Sequence, residues 1–229
     1  MIDDAHDLAC VHAATERLLS AAAGLDNASL AEPSRLPGWS RGHVLAHLAR
    51  NADALVNVLE ARPMYADAAT RDADIERDAP RPLAAQLDDL RASADRFRHT
   101  AAAPADRNRT VELRNGVTDT AARVPFRRWI EVELHHVDLG TGYELEDLPA
   151  EFTERETDFL TERFAQHPDV PSTVLVSETG RTWKTGGGAP GGPVTVEGPA
   201  AELLGWLAGR RDGLALTVRG GTLPALPPL

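Results

Sequence analysis

The sequence predicts two domains: a four-helix bundle over residues 1–148 and a small α+β domain over residues 149–229. Before Pro149, apolar residues recur every three or four positions in four long segments, which is the period of an α-helix. After Pro149, one more helical segment is followed by short runs rich in valine and threonine, which are typical of β-strands. A chain of 229 residues is long enough to bury a hydrophobic core of substantial size.

Each of the four predicted bundle helices carries one apolar face. They cover roughly residues 5–23, 40–60, 82–103 and 125–140. Ser40 is a favourable N-cap for the second helix, and Pro82 is favourable in the first turn of the third. The polar runs 63–78 and 104–119 are predicted to be connections, the second with a short extended piece that begins at Thr110.

The second domain is predicted to mix two helices with four short strands. The helices cover about residues 152–165 and 199–209, and the strands cover residues 172–177, 181–184, 193–197 and 214–218. Thr179-Gly180 is a hairpin signal between the first two strands. The glycine-rich segment 186–192 is predicted to be a solvent loop, because it joins two strands and no Lys-Ser/Thr pair follows it as in a phosphate-binding loop.

Composition restricts the possible partners and compartment. The net charge of -11 argues against nucleic-acid binding, which needs clustered lysine and arginine. Cys10 is the one cysteine, so an intramolecular disulfide and a thiolate metal cluster are excluded. No apolar run approaches the ~20 residues that span a bilayer, and the acidic N-terminus lacks the features of a signal peptide. The sequence therefore predicts a cytoplasmic protein with no membrane contact.

Candidate metal ligands occur on the second and fourth predicted helices. Glu131 and His135 are four residues apart, so they lie on the same helical face. On the second helix, a step of about 100° per residue places His47 roughly 100° from the centre of the apolar face and His43 roughly 140° away. His47 is therefore the better candidate. Asp138, three residues beyond His135, could orient that imidazole.

Spacing alone leaves a simpler interpretation open. Glu131 and His135 could form a surface ion pair that stabilises the helix by only a few tenths of a kcal/mol. A Glu-x-x-x-His pair also lacks the specificity of a complete HExxH zinc motif. The residues by themselves therefore do not decide between a metal site and a surface pair.

Three segments resemble mycothiol-dependent maleylpyruvate isomerases, a family within the DinB-like four-helix bundle superfamily. The segment from Leu36 to Leu55, LPGWSRGHVLAHLARNADAL, resembles the N-terminal signature of the family. The segment from Trp129 to Leu139, WIEVELHHVDL, is similar to its second metal-binding stretch. The segment from Gly198 to Arg210, GPAAELLGWLAGR, resembles its C-terminal domain. The three occur in the order found in the family.

The resemblance implies a zinc site with His47, Glu131 and His135 as ligands. Three protein ligands leave a fourth position open, as in catalytic zinc sites. The family also uses an arginine of the C-terminal domain, which is expected to hold substrate carboxylates. Arg210 is the first candidate for this role, with the alternatives, Arg211 and Arg219, left open.

The resemblance further implies conversion of maleylpyruvate, a small dicarboxylate, to fumarylpyruvate in gentisate breakdown, with mycothiol as the thiol cofactor. The thiolate would add to the double bond, and elimination would follow rotation about the resulting single bond. One alternative is a mycothiol S-transferase that acts on another electrophile. A second is a non-catalytic metal-binding protein, although the Cys-x-x-Cys pair of zinc-binding anti-sigma factors is missing. The oligomeric state and the substrate are left undecided.

Overall fold

The computed structural model describes residues 4–103, 106–189 and 192–228. They form two compact units, the first ending at Tyr143 and the second beginning at Glu144. The first unit is mainly helical and the second combines helices with a sheet, which confirms the predicted fold class. Within the described residues, we find no helix with both the length and the apolar character needed to cross a membrane.

The first unit is built on four long helices. Its helices and strands are α1 (Asp4–Ala22), α2 (Asn27–Ala31), α3 (Arg41–Leu59), α4 (Ala68–Asp78), α5 (Leu83–Ala102), β1 (Thr110–Glu112), β2 (Thr118–Thr120) and α6 (Val124–Asp138). Helix α3 packs against α5 and α6, and α1 packs against the same two helices, so these four form the bundle. Strands β1 and β2 form an antiparallel pair, which extends the short piece predicted at Thr110.

The ends of α3 and α6 follow from local sequence. The Ser40 hydroxyl accepts the His43 backbone N–H, and the His43 side chain accepts the Ser40 backbone N–H, so the predicted N-cap is confirmed. Helix α6 has Pro125 in its first turn and is followed by Gly140 with a φ of 65°. A left-handed residue at this point is strongly favoured to be glycine. These boundaries set which faces of α3 and α6 point toward each other.

The prediction that residues 63–78 form a connection was wrong for their second half, which is helix α4. Asp67 caps this helix by accepting the backbone N–H of Thr70 at 2.7 Å. Ile75 is its buried apolar anchor, and the helix packs against α3. The polar composition of α4 hid it from a search for apolar periodicity, because its stability depends on its cap and on charged contacts.

Asp78, at the end of α4, is a buried carboxylate held by arginines. Arg77 donates to it at 2.9 and 3.0 Å, and Arg50 of α3 and Arg81 lie 3.3 and 3.6 Å away. Burial alone would raise the pKa of Asp78, but the hydrogen bonds and charges of these arginines hold it below its usual value. The ionised carboxylate therefore stabilises the folded state.

We expect Asp78→Asn to lower the free energy of unfolding by about 1.5–3 kcal/mol at pH 7, because charge-assisted hydrogen bonds are lost. A group with a lowered folded pKa stabilises the protein above its unfolded pKa, and this contribution is lost as the pH falls through the folded pKa. The difference between Asp78→Asn and wild type, measured by urea denaturation, should therefore shrink at low pH. A difference that stayed constant down to acid denaturation would contradict this explanation.

The second unit contains a four-stranded sheet and two helices. Its elements are α7 (Ala150–Phe164), β3 (Thr173–Ser177), β4 (Thr182–Thr185), β5 (Val194–Gly198), α8 (Ala200–Leu207) and β6 (Thr217–Arg219). The strand order is β4-β3-β5-β6, with β3 and β5 parallel and the outer pairs antiparallel. The predicted β3–β4 hairpin is confirmed, with Gly180 at a φ of 82°.

One strand boundary of the second unit differs from the prediction, and part of the predicted glycine loop lies outside the described residues. The last strand begins at Thr217, whereas it was predicted to begin at Leu214. Leu214 is 88% exposed, so this apolar residue does not belong to the sheet core. Of the predicted glycine loop, Pro190 and Gly191 lie outside the described residues.

Candidate metal centre

Helices α3 and α6 bring three potential metal ligands together. His47 Nε2 lies 3.0 Å from Glu131 Oε2, and His135 Nε2 lies 3.3 Å from the same oxygen. One ligand atom from each residue falls within 4.8 Å of the other two. The two imidazole rings meet edge to face, with centroids 4.6 Å apart. The contact joins residues that are more than eighty positions apart in the chain.

The donor set fits a catalytic zinc ion. Zinc takes nitrogen and oxygen ligands at about 2.0–2.2 Å, so two ligands of a tetrahedral site are roughly 3.3 Å apart. The separations of 3.0 and 3.3 Å on either side of Glu131 are close to this value. The side chains of His47 and His135 are 7% and 13% exposed, and that of Glu131 is 31% exposed. The two imidazoles are therefore largely shielded from solvent, and Glu131 is the most exposed side chain of the cluster.

The charges of the three residues depend on one another. Burial lowers the pKa of His47 to about 4, against the opposing effect of its hydrogen bond to Glu131. Burial alone would raise the pKa of Glu131, but hydrogen bonds from His135 and His47 hold it well below its usual value. Burial alone would lower the pKa of His135, but hydrogen bonds to Asp138 and Glu131 raise it. The metal-free arrangement thus has a neutral His47 and an anionic Glu131, with His135 held between the carboxylates of Glu131 and Asp138.

Asp138 lies where the sequence placed it, beside His135. The Nδ1–H of His135 donates to Asp138 Oδ2 at 2.8 Å, and the Asp138 side chain is only 1% exposed. A carboxylate on the outer nitrogen fixes the orientation and tautomer of the imidazole, so that Nε2 points toward the metal position. Asp138 is therefore suited to position His135 without being a ligand itself.

We expect Asp138→Asn to weaken zinc binding about 10- to 100-fold, which is the usual cost of losing the group that orients a ligand. The measurement is a zinc titration against a competing chelator. Asp95→Asn, an exposed aspartate on α5, is the matched control and should leave zinc affinity unchanged. Equal zinc affinity in Asp138→Asn and wild type would contradict the orienting role.

The other histidines and acids of these helices lie apart from the cluster. His43 Nε2 contacts Glu76 of α4 at 3.3 Å. Glu133 is fully buried and accepts hydrogen bonds from Trp129 and Tyr143. His136 is stacked on the Tyr143 ring, with centroids 4.0 Å apart. The position of His43 agrees with the helical angles, which favoured His47 over His43.

The three candidate arginines lie in the second unit. Arg210 donates to the backbone carbonyl of Ala208 at 2.7 Å. Arg211 is bound by two carboxylates, Glu202 at 2.8 Å and Glu146 at 3.0 Å. Arg219 on β6 pairs with a carboxylate of the neighbouring strand β5 at 3.0 Å. Both alternatives to Arg210 therefore already have acidic partners within their own unit.

Two residues beside the cluster were missed by sequence reasoning. Arg71 Nη2 of α4 lies 3.4 Å from His47 Nδ1. The Arg71 guanidinium carbon lies 5.9 Å from the centroid of the Tyr65 ring. Burial raises the pKa of Tyr65, and the negative charge of Glu131 adds to the shift. Recognition of the Asp67 cap of α4 could have revealed the helix, but not the contact between Arg71 and His47.

Comparison with solved structures identifies the same fold. The chain matches the crystal structure of the mycothiol-dependent maleylpyruvate isomerase with a TM-score of 0.89 and 24% sequence identity, over 99% of this chain and 97% of the other. A histidine-to-alanine mutant of that isomerase matches with the same values. At this identity the likeness shows the fold alone. None of the curated proteins that were compared matches the chain.

Family models cover both parts of the chain. The model described as the mycothiol maleylpyruvate isomerase N-terminal domain matches residues 11–140, which is more than half of the chain and includes all three residues of the cluster. The model of the C-terminal domain of that family, abbreviated MDMPI, matches residues 147–228. The order of the two models is that of the two units. The chain therefore belongs to the mycothiol maleylpyruvate isomerase family.

Proposed function

We propose that this protein is a zinc- and mycothiol-dependent isomerase that converts maleylpyruvate to fumarylpyruvate. The observation that carries the proposal is the cluster of His47, Glu131 and His135, which has three suitable ligand atoms close together and a partly exposed carboxylate. Membership of the family supplies the identity of the thiol and the substrate. The likeness in fold to the solved isomerase supports the same assignment.

The proposed role of the cluster is to hold the metal with its fourth position open. When bound, zinc would supply a positive centre at which a thiol is deprotonated at neutral pH. Glu131 reduces the net charge of the site, and Asp138 keeps His135 directed at the metal position. No cysteine of the protein is required in this proposal, because the reacting thiol belongs to the cofactor.

We assign the binding of a substrate carboxylate in the second domain to Arg210. A guanidinium can bind a carboxylate through two parallel hydrogen bonds, which fixes its position as well as its charge. Arg211 and Arg219, which pair with carboxylates of their own unit, remain the alternatives. A local positive charge would also offset the repulsion between a dicarboxylate and a chain of net charge -11.

The proposed reaction conserves the thiol. The thiolate sulfur would form a bond to one carbon of the cis double bond, and the π electron pair would move into the adjacent carbonyl as an enolate. The remaining single bond would rotate. Return of the electron pair would then break the carbon–sulfur bond, releasing the thiolate and the trans product. Proton NMR of a reaction with maleylpyruvate and mycothiol, with thiol titration in parallel, tests this scheme. We expect the trans isomer at constant thiol. A stable adduct that consumes one thiol per substrate would instead identify a mycothiol S-transferase.

A further inference from the structure

A cleft of about 560 Å³ opens on the first unit beside the metal centre. It lies between the segment that leads from α3 into α4 and the β1–β2 pair with its connecting turn. Its wall includes one aromatic and four basic side chains: Tyr65, Arg62, Arg71, Arg109 and Arg114. This volume is sufficient for a small organic molecule.

The cleft is positively charged in a negatively charged protein. Against its four arginines stand two acidic residues, Asp67 and Glu112. Asp67 is committed to the cap of α4, where it accepts the Thr70 N–H. Because the whole chain carries a net charge of -11, a local excess of positive charge marks this cleft as a place where anions would accumulate.

Arg71 connects the cleft to the metal centre. Its side chain is only 12% exposed, lines the cleft and reaches within 3.4 Å of His47 Nδ1. Arg71 pairs with the carboxylate of Asp72 at 2.6 Å. The side chain of Asp72 is 62% exposed, so this carboxylate is strongly solvated. Two other arginines of the cleft have structural tasks: Arg62 binds Asn57, and Arg109 binds the backbone carbonyls at the end of α3.

The contact between Arg71 and His47 suits the metal-free state better than the metal-bound state. Without metal, His47 Nε2 donates to Glu131, so Nδ1 of the neutral ring can accept from Arg71. A metal on Nε2 would leave the proton of the neutral imidazole on Nδ1. The N–H groups of Arg71 Nη2 and His47 Nδ1 would then face each other, and both would need a hydrogen-bond acceptor. An anionic oxygen in the cleft would provide one.

From this geometry we propose that Arg71 binds a carboxylate of the substrate in the arginine-lined cleft, and is a substrate-binding residue of the first domain. The inference rests on the proposed function for the identity of that substrate, a small dicarboxylate. Tyr65 would form the apolar side of this subsite, with its ring next to the Arg71 guanidinium.

The test uses maleate, a small cis-dicarboxylate, as the probe with zinc-loaded full-length protein in the absence of mycothiol. We expect Arg71→Gln to weaken maleate binding in calorimetry about 10- to 100-fold, as loss of a charge-assisted hydrogen bond predicts. Arg98→Gln makes the same charge change at an exposed position of α5 and should alter binding less than twofold. We also expect zinc loading to strengthen maleate binding in wild type more than in Arg71→Gln. Equal maleate affinity in Arg71→Gln and wild type would overturn the proposal.

Zinc affinity separates substrate binding from a role in positioning His47. If Arg71 binds the carboxylate, Arg71→Gln should retain zinc with equal or higher affinity, because a nearby positive charge has been removed. Loss of zinc together with loss of maleate binding would overturn the proposal in favour of a positioning role. Should Arg71→Gln fail to fold, Arg71→Lys replaces it, since lysine keeps the charge but not the planar fork, and it should bind maleate more weakly than wild type.

Measurements of isomerisation and of maleate binding distinguish a wrong role for Arg71 from a wrong reaction for the protein. Normal isomerisation with an unchanged KM in Arg71→Gln would remove Arg71 from the site while the isomerase function stands. Maleate binding that depends on Arg71, in a protein that does not isomerise maleylpyruvate, would retain the anion subsite and refute the proposed reaction.

Discussion

Glu131→Ala is expected to abolish stoichiometric zinc binding. Glu131 Oε2 is the atom shared by both imidazoles, at 3.0 Å from His47 and 3.3 Å from His135. Its removal deletes one of the three proposed ligands and leaves both imidazoles without their shared carboxylate partner. Loss of a group that merely orients a ligand costs 10- to 100-fold in affinity, so loss of a ligand should cost more than roughly 100-fold.

The loss of zinc binding is measured in two ways. One is the metal content after dialysis against a weak chelator, and the other is a competition titration. His47→Ala and His135→Ala should behave in the same way as Glu131→Ala. Glu76→Ala is the matched control, because Glu76 is an exposed glutamate that contacts His43 and not the cluster. One tightly bound zinc per chain in folded Glu131→Ala would mean that the metal binds elsewhere.

The largest expected effect on stability comes from Glu133→Ala. The carboxylate of Glu133 is fully buried and accepts hydrogen bonds from Trp129 at 3.0 Å, Tyr143 at 2.8 Å and Arg17 at 2.5 Å. Arg17 belongs to α1, so this carboxylate ties α1 to α6. Removal of one partner of a buried ionic network typically costs about 3–5 kcal/mol, and we expect a loss of this size in the free energy of unfolding.

Urea denaturation monitored by tryptophan fluorescence measures the effect of Glu133→Ala. Glu16→Ala, an exposed glutamate on α1, should change stability by less than about 0.5 kcal/mol. A second readout comes from Tyr143, whose pKa is raised by burial and further by Glu133. That pKa should fall in Glu133→Ala. A variant as stable as wild type would contradict the role assigned to this buried carboxylate.

Helical periodicity was sufficient to predict that the three residues of the cluster lie close together, because they obey a simple geometric rule; that they bind a metal remains a proposal. Glu131 and His135 are one turn apart on α6, and His47 is on the flank of α3 that faces them. The angular separation of His43 and His47 on α3 was enough to choose between them. A tertiary contact between two amphipathic helices could therefore be anticipated from each helix separately.

The contacts made by α4 could not be anticipated in this way. Ile75 is its buried apolar side chain, so no periodic pattern marked the helix, and its charged residues suggested a solvated connection. The position of Arg71 next to His47 depends on how α4 packs against α3, which the sequence pattern does not encode. The basic character of the cleft likewise arises from segments that are distant in the chain.

The assignment of the carboxylate-binding arginine of the second domain remains a proposal, and the sequence left its alternatives open for a different reason. Arg210 and Arg211 are adjacent, so a shift of one residue in the comparison exchanges them. Arg211 is bound by Glu202 and Glu146, and Arg210 donates to the Ala208 carbonyl. Ion pairs of this kind involve distant residues and leave no signature in the local sequence.

Turnover of maleylpyruvate by the zinc-loaded protein, with and without mycothiol, is the most direct test of the proposed function. We predict formation of fumarylpyruvate that requires both zinc and the thiol, and that is lost in Glu131→Ala. Isomerisation at the same rate without thiol, or no isomerisation by protein with one bound zinc and added mycothiol, would contradict the assignment.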